Sequence, residues 1–318
     1  MTKLSIFTPA HITNDFFKWC ILSVTNQSYR NWEWIILDNS PNYGIENFLR
    51  NVLWENFTPL EIIELNKKIK VYKDVTGSKN IGQLKDIAAR LCTGELLIEQ
   101  DCDDVMMSFA LASFAQATKH IERAQFFFSD YIPVKVFYNE KDEMGFLNMN
   151  NGHLHLDNCT VEFHKLYGKN LNLNVNVFGS QAITKDFILT NQIVPCNLRA
   201  WRREFFNQIG GFNPEVKLWE DYDIVLRSYL EIFKNPENIS NSRICRISHP
   251  CYLYFLHDKN STNEEVSNKL RSEIVESFRP QIENLFERIK EEIGIETLPI
   301  HRFIPTHPPE AKNFTLLS

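Results

Sequence analysis

Short apolar runs alternate with amphipathic stretches through the first third of the chain. The runs are continuous, which is typical of strands covered on both faces of a sheet, and they lie at residues 4–7, 34–37, 69–72 and 95–98. Residues 15–26 and 81–91 between them carry apolar side chains at helical spacing. Asn14 or Thr13 can cap the first of these helices. This alternation predicts an α/β fold with a mainly parallel, twisted sheet flanked by helices.

The pattern is less regular after residue 104. In chain order we expect a helix over 106–121, strands over 125–129 and 132–137, a long variable loop region over 139–176, a buried helix over 222–233 and a strand over 252–256. Apolar residues then recur at helical spacing from 264 to 294. This predicts a C-terminal helical extension that Pro280 kinks or divides, followed by an extended tail.

Three carboxylates end the fourth apolar run. Asp101, Asp103 and Asp104 lie within four residues of one another. Like charges this close shift one another's pKa unless a cation lies among them, and open α/β sheets bind ligands at the carboxyl ends of their strands. The simplest explanation is a divalent metal held by Asp101 and Asp103 that in turn holds a phosphorylated ligand. A solvated acidic turn or a cluster at a helix N-terminus is the alternative.

Composition and charge narrow the class of protein. A net charge of −6 and a pI near 5.9 argue against binding to bulk nucleic acid. No secretory pattern and no apolar run of transmembrane length is visible. The seven cysteines form no C-x-x-C pair, which favours a reducing compartment. We therefore expect a cytoplasmic protein, or one that is at most peripheral to a membrane.

Several motifs follow one another in an order that resembles a known enzyme family. They are Leu4-Ser5-Ile6-Phe7-Thr8-Pro9, Trp34-Ile35-Ile36-Leu37-Asp38-Asn39-Ser40, Asp101-Cys102-Asp103-Asp104, Ile209-Gly210-Gly211-Phe212-Asn213 and Trp219-Glu220-Asp221-Tyr222-Asp223. In order and spacing, residues 3–257 resemble the family 2 glycosyltransferases of GT-A fold. The resemblance implies a GT-A domain over 1–263, with a nucleotide-sugar-binding half (1–124) and an acceptor-side half (125–263), before a helix and tail over 264–318.

The resemblance also implies roles in binding the metal and the diphosphate. Asp101 would contact the ribose, and Asp103 would bind Mn²⁺ or Mg²⁺, for which carboxylate oxygens are suitable ligands. Cys102 lies between them and is assigned to the donor site. His257 would complete the metal shell or contact phosphate, although a lone histidine at a strand end is more often structural. Lys85 would approach the diphosphate, unless it is an ordinary surface lysine.

A second group of residues is expected around the nucleobase. Asp38 would lie beside the base, with Pro9, Ala10 and His11 on its other side. The family usually has a second acidic residue where this chain has Asn39. An amide oxygen still accepts a hydrogen bond from a pyrimidine N3–H, so a uridine nucleotide fits. His11 is equally well explained as a stacking residue or as a loop histidine.

Asp221 is the general base that the resemblance implies. It would take the proton of the acceptor hydroxyl during an inverting transfer, with Glu220 as the second candidate. Partial burial is expected to raise the pKa of Asp221. Both residues would also cap the helix that follows, and capping is compatible with catalysis.

The sequence thus predicts a metal-dependent, inverting glycosyltransferase of the hexosyltransferase type that uses a UDP-sugar. The hydroxyl acceptor, which is a glycan, a lipid carrier or a protein, would bind against residues 139–176 and 195–203. The C-terminal helix would cover the core or form a homodimer. One alternative is a sugar nucleotidyltransferase, but the Gly-rich phosphate loop is missing after the first strand. The other is a non-catalytic nucleotide-sugar-binding module, against which the joint presence of Asp101, Asp103 and Asp221 argues.

Overall fold

The computed structural model describes residues 1–138, 144–148, 158–164, 170–176, 183–190, 198–257 and 264–305. The strands are β1 (Leu4–Ala10), β2 (Trp32–Asp38), β3 (Ile69–Lys73), β4 (Leu96–Glu99), β5 (Val105–Met106), β6 (Phe126–Tyr138), β7 (Met144–Asn148), β8 (Asn158–His164), β9 (Asn170–Asn176), β10 (Arg199–Arg202), β11 (Ile244–Leu256) and β12 (His301–Phe303). The helices are α1 (Asp15–Thr25), α2 (Ile45–Asn56), α3 (Pro59–Asn66), α4 (Ile81–Arg90), α5 (Ala110–His120), α6 (Lys185–Leu189), α7 (Arg203–Gln208), α8 (Glu220–Phe233), α9 (Glu237–Ser240) and α10 (Glu264–Ile293).

One curled sheet organises the described part of the chain. Its strand order is β12-β11-β6-β10-β4-β1-β2-β3, with β5 paired to β11 and β7 paired to β6. β1 is parallel to both β2 and β4, and β2 is parallel to β3. These pairings confirm the predicted mainly parallel sheet of the first half. β10 is antiparallel to both of its neighbours, which the sequence pattern did not indicate.

Every residue of β1 and β2 is buried, as expected for strands between two helical layers. Because successive side chains point to opposite faces of a strand, Leu4 and Ile6 pack in the core shared with α1, α2 and α5, whereas Phe7 packs in the core shared with α4, α8 and α10. The side chain of Asn14 accepts a hydrogen bond from the backbone N–H of Phe17 and caps α1 as predicted.

Several predicted boundaries were wrong. Helix α5 begins only at Ala110, because Val105 and Met106 pair with β11 as strand β5. The two strands predicted over 125–137 are one continuous strand, β6. The predicted loop region 139–176 contains β7, β8 and β9, and its remaining residues lie outside the described ranges. Two unpredicted helices, α2 and α3, connect β2 to β3.

The C-terminal segment joins the main sheet. Helix α10 runs without interruption through Pro280, so that proline does not divide it, and β12 then pairs in parallel with β11. The division of the chain at residue 263 stays a prediction. Within the described ranges, no helix has the length and apolar character needed to span a bilayer.

Candidate active site

Three loops meet at the carboxyl edge of the sheet. Ala10 at the end of β1 lies opposite Asp38 at the end of β2, and Phe7 lies opposite Glu99 at the end of β4. The parallel register therefore brings together the residues that follow these strands, as the sequence predicted.

The acidic loop after β4 has a defined shape. The side-chain amide of Gln100 donates hydrogen bonds to the carbonyl oxygens of Asp101 and Asp104, at 2.9 and 3.0 Å. Asp104 turns inward, and its carboxylate accepts a hydrogen bond of 2.7 Å from the backbone N–H of Phe255. Burial raises the pKa of Asp104 well above its usual value. Asp104 therefore ties the loop to β11, whereas Asp101 and Asp103 stay partly exposed.

Asp103 and His257 form a pair of potential metal ligands. Their Oδ2 and Nε2 atoms lie 3.2 Å apart, and the imidazole of His257 stacks on Phe16 with the ring centroids 4.6 Å apart. Over the described ranges, no three His, Cys, Asp or Glu side chains are grouped as a complete metal site. A carboxylate and an imidazole nevertheless fit a divalent cation whose other ligands are phosphate oxygens and water.

Lys85 is buried among three carboxylates and does not lie on the surface. Its Nζ is 2.6 Å from Glu99, 2.8 Å from Glu220 and 3.4 Å from Asp101, and the side chain is 6% exposed. Burial alone would lower the pKa of Lys85, but these three carboxylates raise it well above the usual value. Lys85 is therefore a permanent cation, and the interpretation as an ordinary surface lysine was wrong.

Asp101 is accordingly held by Lys85 and is not part of the pair formed by Asp103 and His257. Burial raises the pKa of Asp101 to about 6; Lys85 opposes this shift, and the neighbouring carboxylates Glu99 and Asp103 add to it. The loop thus carries an excess of negative charge that a divalent cation bound there would offset.

Arg199 connects this cluster to the predicted base. The guanidinium, buried in β10, donates from Nε and Nη2 to both oxygens of Glu99, at 2.9 and 3.2 Å, and from Nη1 to Asp221 Oδ2 at 2.8 Å. Burial would raise the pKa of Asp221, but the charges of Arg199 and Lys85 lower it overall. The expectation of a raised pKa was wrong because the charges of Arg199 and Lys85, together with the hydrogen bonds that Asp221 accepts, outweigh desolvation.

Asp221 and Glu220 differ in accessibility at the start of α8. The Asp221 side chain is 21% exposed, whereas Glu220 is buried against Lys85. The residue before them, Trp219, has a left-handed backbone with φ of 66°. That conformation is unfavourable for a bulky residue and is typical of functional sites. Of the two acidic residues, Asp221 is the one that a substrate hydroxyl can reach.

The predicted base-binding loop is held by its own hydrogen bonds. Asp38 is 1% exposed, and its carboxylate accepts from the backbone N–H and hydroxyl of Ser40 and from the backbone N–H of Ile45. The amide nitrogen of Asn39 donates to Asp74 Oδ2, at 2.8 Å, and to a backbone carbonyl. Because a carboxylate only accepts, this contact fixes which end of the Asn39 amide is the oxygen. Asp74 therefore orients the Asn39 amide, and Asp38 supports the loop that carries it.

The remaining predicted donor-site residues lie close together. Pro9 and Ala10 are buried in β1, and His11 follows them on the exposed surface. The Nδ1 atom of His11 lies 3.8 Å from the Cys102 sulfur. Burial raises the pKa of the Cys102 thiol well above its usual value, so it stays protonated.

Sequence reasoning missed Glu99 and Arg199. Each is a charged residue within an apolar strand, in Leu96-Leu97-Ile98-Glu99 and Leu198-Arg199-Ala200-Trp201. A buried charge needs a partner of opposite sign. Pairing these two interior charges would have placed β10 beside β4.

Comparison with protein-family models gives one match, to the model described as "Glycosyl transferase family 2", over residues 5–172. The match spans more than half of the chain. The chain belongs to glycosyl transferase family 2. This glycosyltransferase has no match among curated protein sequences.

Solved structures with a similar fold include two of S. aureus TarS 1-349, one in complex with UDP and one with UDP-GlcNAc. Each is 15% identical, with TM-scores of 0.50 and 0.51; the similarity covers 92% of this chain and 81% or 82% of TarS 1-349. GalNAc-T7, solved with UDP, GalNAc and Mn²⁺, is 14% identical with a TM-score of 0.51, over 89% of this chain and 50% of GalNAc-T7. At these identities the likeness establishes the fold, which is of the predicted GT-A type.

Proposed function

We propose that this family 2 glycosyltransferase transfers a sugar from a UDP-sugar to a hydroxyl acceptor with inversion, in a reaction that depends on Mn²⁺ or Mg²⁺. The observation that carries the proposal is the arrangement at one sheet edge of two side chains that could bind a metal and a reachable, ionised carboxylate. Asp103 and His257 form the ligand pair, and Asp221 is the carboxylate. The nucleotide complexes of TarS and GalNAc-T7 support a uridine nucleotide as the donor.

Asp103 and His257 would hold the cation, with oxygens of the donor diphosphate completing its coordination. When bound, the cation would neutralise the departing nucleoside diphosphate. Asp101 would stay beside Lys85 and accept hydrogen bonds from the ribose hydroxyls. Lys85 keeps that carboxylate ionised and its position fixed through Glu99 and Glu220.

Asp221 would act as the general base. It is ionised at neutral pH because Arg199 lowers its pKa, so it is ready to accept the proton of the attacking hydroxyl. A carboxylate of low pKa takes the proton late, as the new glycosidic bond forms. A single base on the acceptor side suits direct displacement, which inverts the anomeric carbon. Arg199 fixes the position of Asp221, and Glu220 contributes through Lys85.

Asn39 would recognise the nucleobase of the donor. Its amide oxygen, oriented by Asp74, accepts from the N3–H of uracil but meets an acceptor nitrogen in cytosine. His11, at the exposed end of β1, would lie against the base or the ribose. Asp38 would act indirectly, by holding the loop that carries Asn39.

Two variants test the metal and the base separately. Asp103→Ala removes one of the two converging ligands, so we expect the Mn²⁺-dependent part of UDP affinity to disappear in calorimetry. Asp221→Asn keeps the shape of the base, so UDP affinity stays near wild type while the rate of UDP release from UDP-sugars falls by about 10²–10⁴-fold. Asp223→Asn, on the same helix but paired with Arg227, is the matched control. Unchanged Mn²⁺ dependence in the first variant, or near-normal turnover in the second, contradicts the proposal.

A further inference from the structure

Arg271, on the C-terminal helix α10, lies beside the start of α8. Its guanidinium carbon is 4.8 Å from the centre of the Trp219 ring. Trp219 has the left-handed backbone described above and directly precedes Glu220 and Asp221. The C-terminal extension therefore places a cation next to the proposed base, outside the part of the chain that matches the family model.

Arg271 differs from the other cations of the site in its partners. Lys85 and Arg199 each contact carboxylates. Arg271 has no carboxylate within ion-pair distance among the described residues, and its Nε is buried without a hydrogen-bond partner there. Its Nη2 donates to the amide oxygen of Asn268, at 3.1 Å. A buried donor such as this Nε is unfavourable when no described residue accepts from it, so the retention of Arg271 beside the proposed base favours a role in binding a ligand of opposite charge.

The electrostatic surroundings agree with this interpretation. Burial lowers the pKa of Arg271, and the nearby Tyr222 and Asp221 raise it in part. The guanidinium therefore lies within the field of the proposed base. The side chain is only half-buried, so a ligand that approaches Asp221 can reach it.

We propose that Arg271 binds an oxyanion of the acceptor, a phosphate or a carboxylate, and so holds the neighbouring hydroxyl at Asp221. This inference rests on the proposed function, in which Asp221 is the base. A planar guanidinium donates two parallel hydrogen bonds to such a group, and its contact with the Trp219 ring restrains the position of the guanidinium. An anionic acceptor would otherwise be repelled by the carboxylates that surround Lys85.

Three hexoses of the same ring and different charge test whether the proposed acceptor site prefers an anion. Glucose, glucose 6-phosphate and glucuronate are titrated by calorimetry into the full chain saturated with UDP and Mn²⁺. We expect one of the two anionic sugars to bind at least ten times more tightly than glucose. Preference for the phosphate identifies a phosphorylated acceptor, and preference for glucuronate identifies a uronate. Equal affinity for all three sugars overturns the inference.

Variants assign the preference to this side chain. Arg271→Gln should abolish the preference for an anionic sugar over glucose and leave UDP affinity unchanged. Arg271→Lys keeps the positive charge but lacks the paired N–H donors of the guanidinium, so it should retain part of that preference. Arg279→Gln, on the same helix at an exposed pair with Glu276, should change nothing. If Arg271→Gln keeps the full preference, or Arg279→Gln loses it equally, the assignment is wrong. If the wild type fails to bind UDP at all, the proposed function fails first, which separates the two results.

Discussion

The replacement of Arg199 by methionine tests whether the buried ion-pair cluster organises the site. Arg199→Met removes a guanidinium that is 2% exposed and that contacts both oxygens of Glu99. Glu99 is itself 3% exposed, so its carboxylate would remain buried, with Lys85 as the one remaining cation in contact with it among the described residues. Methionine fills a similar volume, so the loss of charge dominates over the loss of packing.

The expected effect is large because the remaining charge cannot be hydrated. Removing one partner of a buried ion pair lowers the free energy of unfolding by about 3–5 kcal/mol. This is a sizeable part of the total free energy of unfolding of a folded domain, which is roughly 5–15 kcal/mol. The double variant Arg199→Met/Glu99→Met removes the buried Glu99 charge as well, whereas Asp221, the other partner of Arg199, is 21% exposed and can be hydrated. We expect the double variant to recover at least about 2 kcal/mol of the loss, since a buried pair replaced by apolar side chains is often close to neutral.

Urea unfolding followed by tryptophan fluorescence measures these differences at constant pH. Arg50→Met, which removes an exposed pair with Glu46, is the control and should change the unfolding free energy by less than about 0.5 kcal/mol. Our reasoning is refuted if Arg199→Met is as mild as this control. It is equally refuted if the double variant is no more stable than the single one, since the unpaired Glu99 would then not be the cause.

Two further predictions concern acid stability and base selectivity. Burial alone would raise the pKa of Glu33, but hydrogen bonds from Lys3 and its neighbours lower it from 4.5 to about 2. Because the folded-state pKa is the lower one, Glu33 stabilises the protein above pH 4.5 and this contribution, at most about 3 kcal/mol, disappears as the pH falls towards 2. Glu33→Gln should therefore flatten the pH dependence of the urea midpoint in that window, whereas the exposed Glu46→Gln should not; parallel curves for Glu33→Gln and wild type would disprove this role. Asp74→Asn should release the orientation of Asn39, so we expect the preference for UDP over CDP in calorimetry to fall about tenfold, or about 1.4 kcal/mol; an unaltered preference would exclude Asp74 as the orienting residue.

The sequence alone predicted the first half of the fold and the edge at which the site forms. Continuous apolar runs are a local signal, and helical spacing between them implies parallel pairing. Those two facts place the residues after β1, β2 and β4 together. The predicted residues Asp101 and Asp103 follow directly from where β4 ends.

Sequence reasoning failed where long-range pairing overrides a local pattern. Met106, the first residue of the predicted helix, lies instead in β5 with Val105, because the distant strand β11 pairs with both. The same holds for β7, whose partner β6 is needed to make a strand of a weak pattern. Strand propensity depends on such neighbours more than helix propensity does.

Residue identity determined what this protein carries: a family signature, the carboxylates of the proposed metal and base site, and a basic residue at position 85. Tertiary structure alone decided which of these charged side chains contact one another and which stay accessible. The antiparallel strand β10 puts Arg199 between Glu99 and Asp221. The end of β11 brings His257 to Asp103, and the packing of α4 against β4 and α8 surrounds Lys85 with acids. The physical reason is that the residue type fixes the charge that a side chain can carry. Its desolvation and its partners depend instead on which distant strands and helices pack around it.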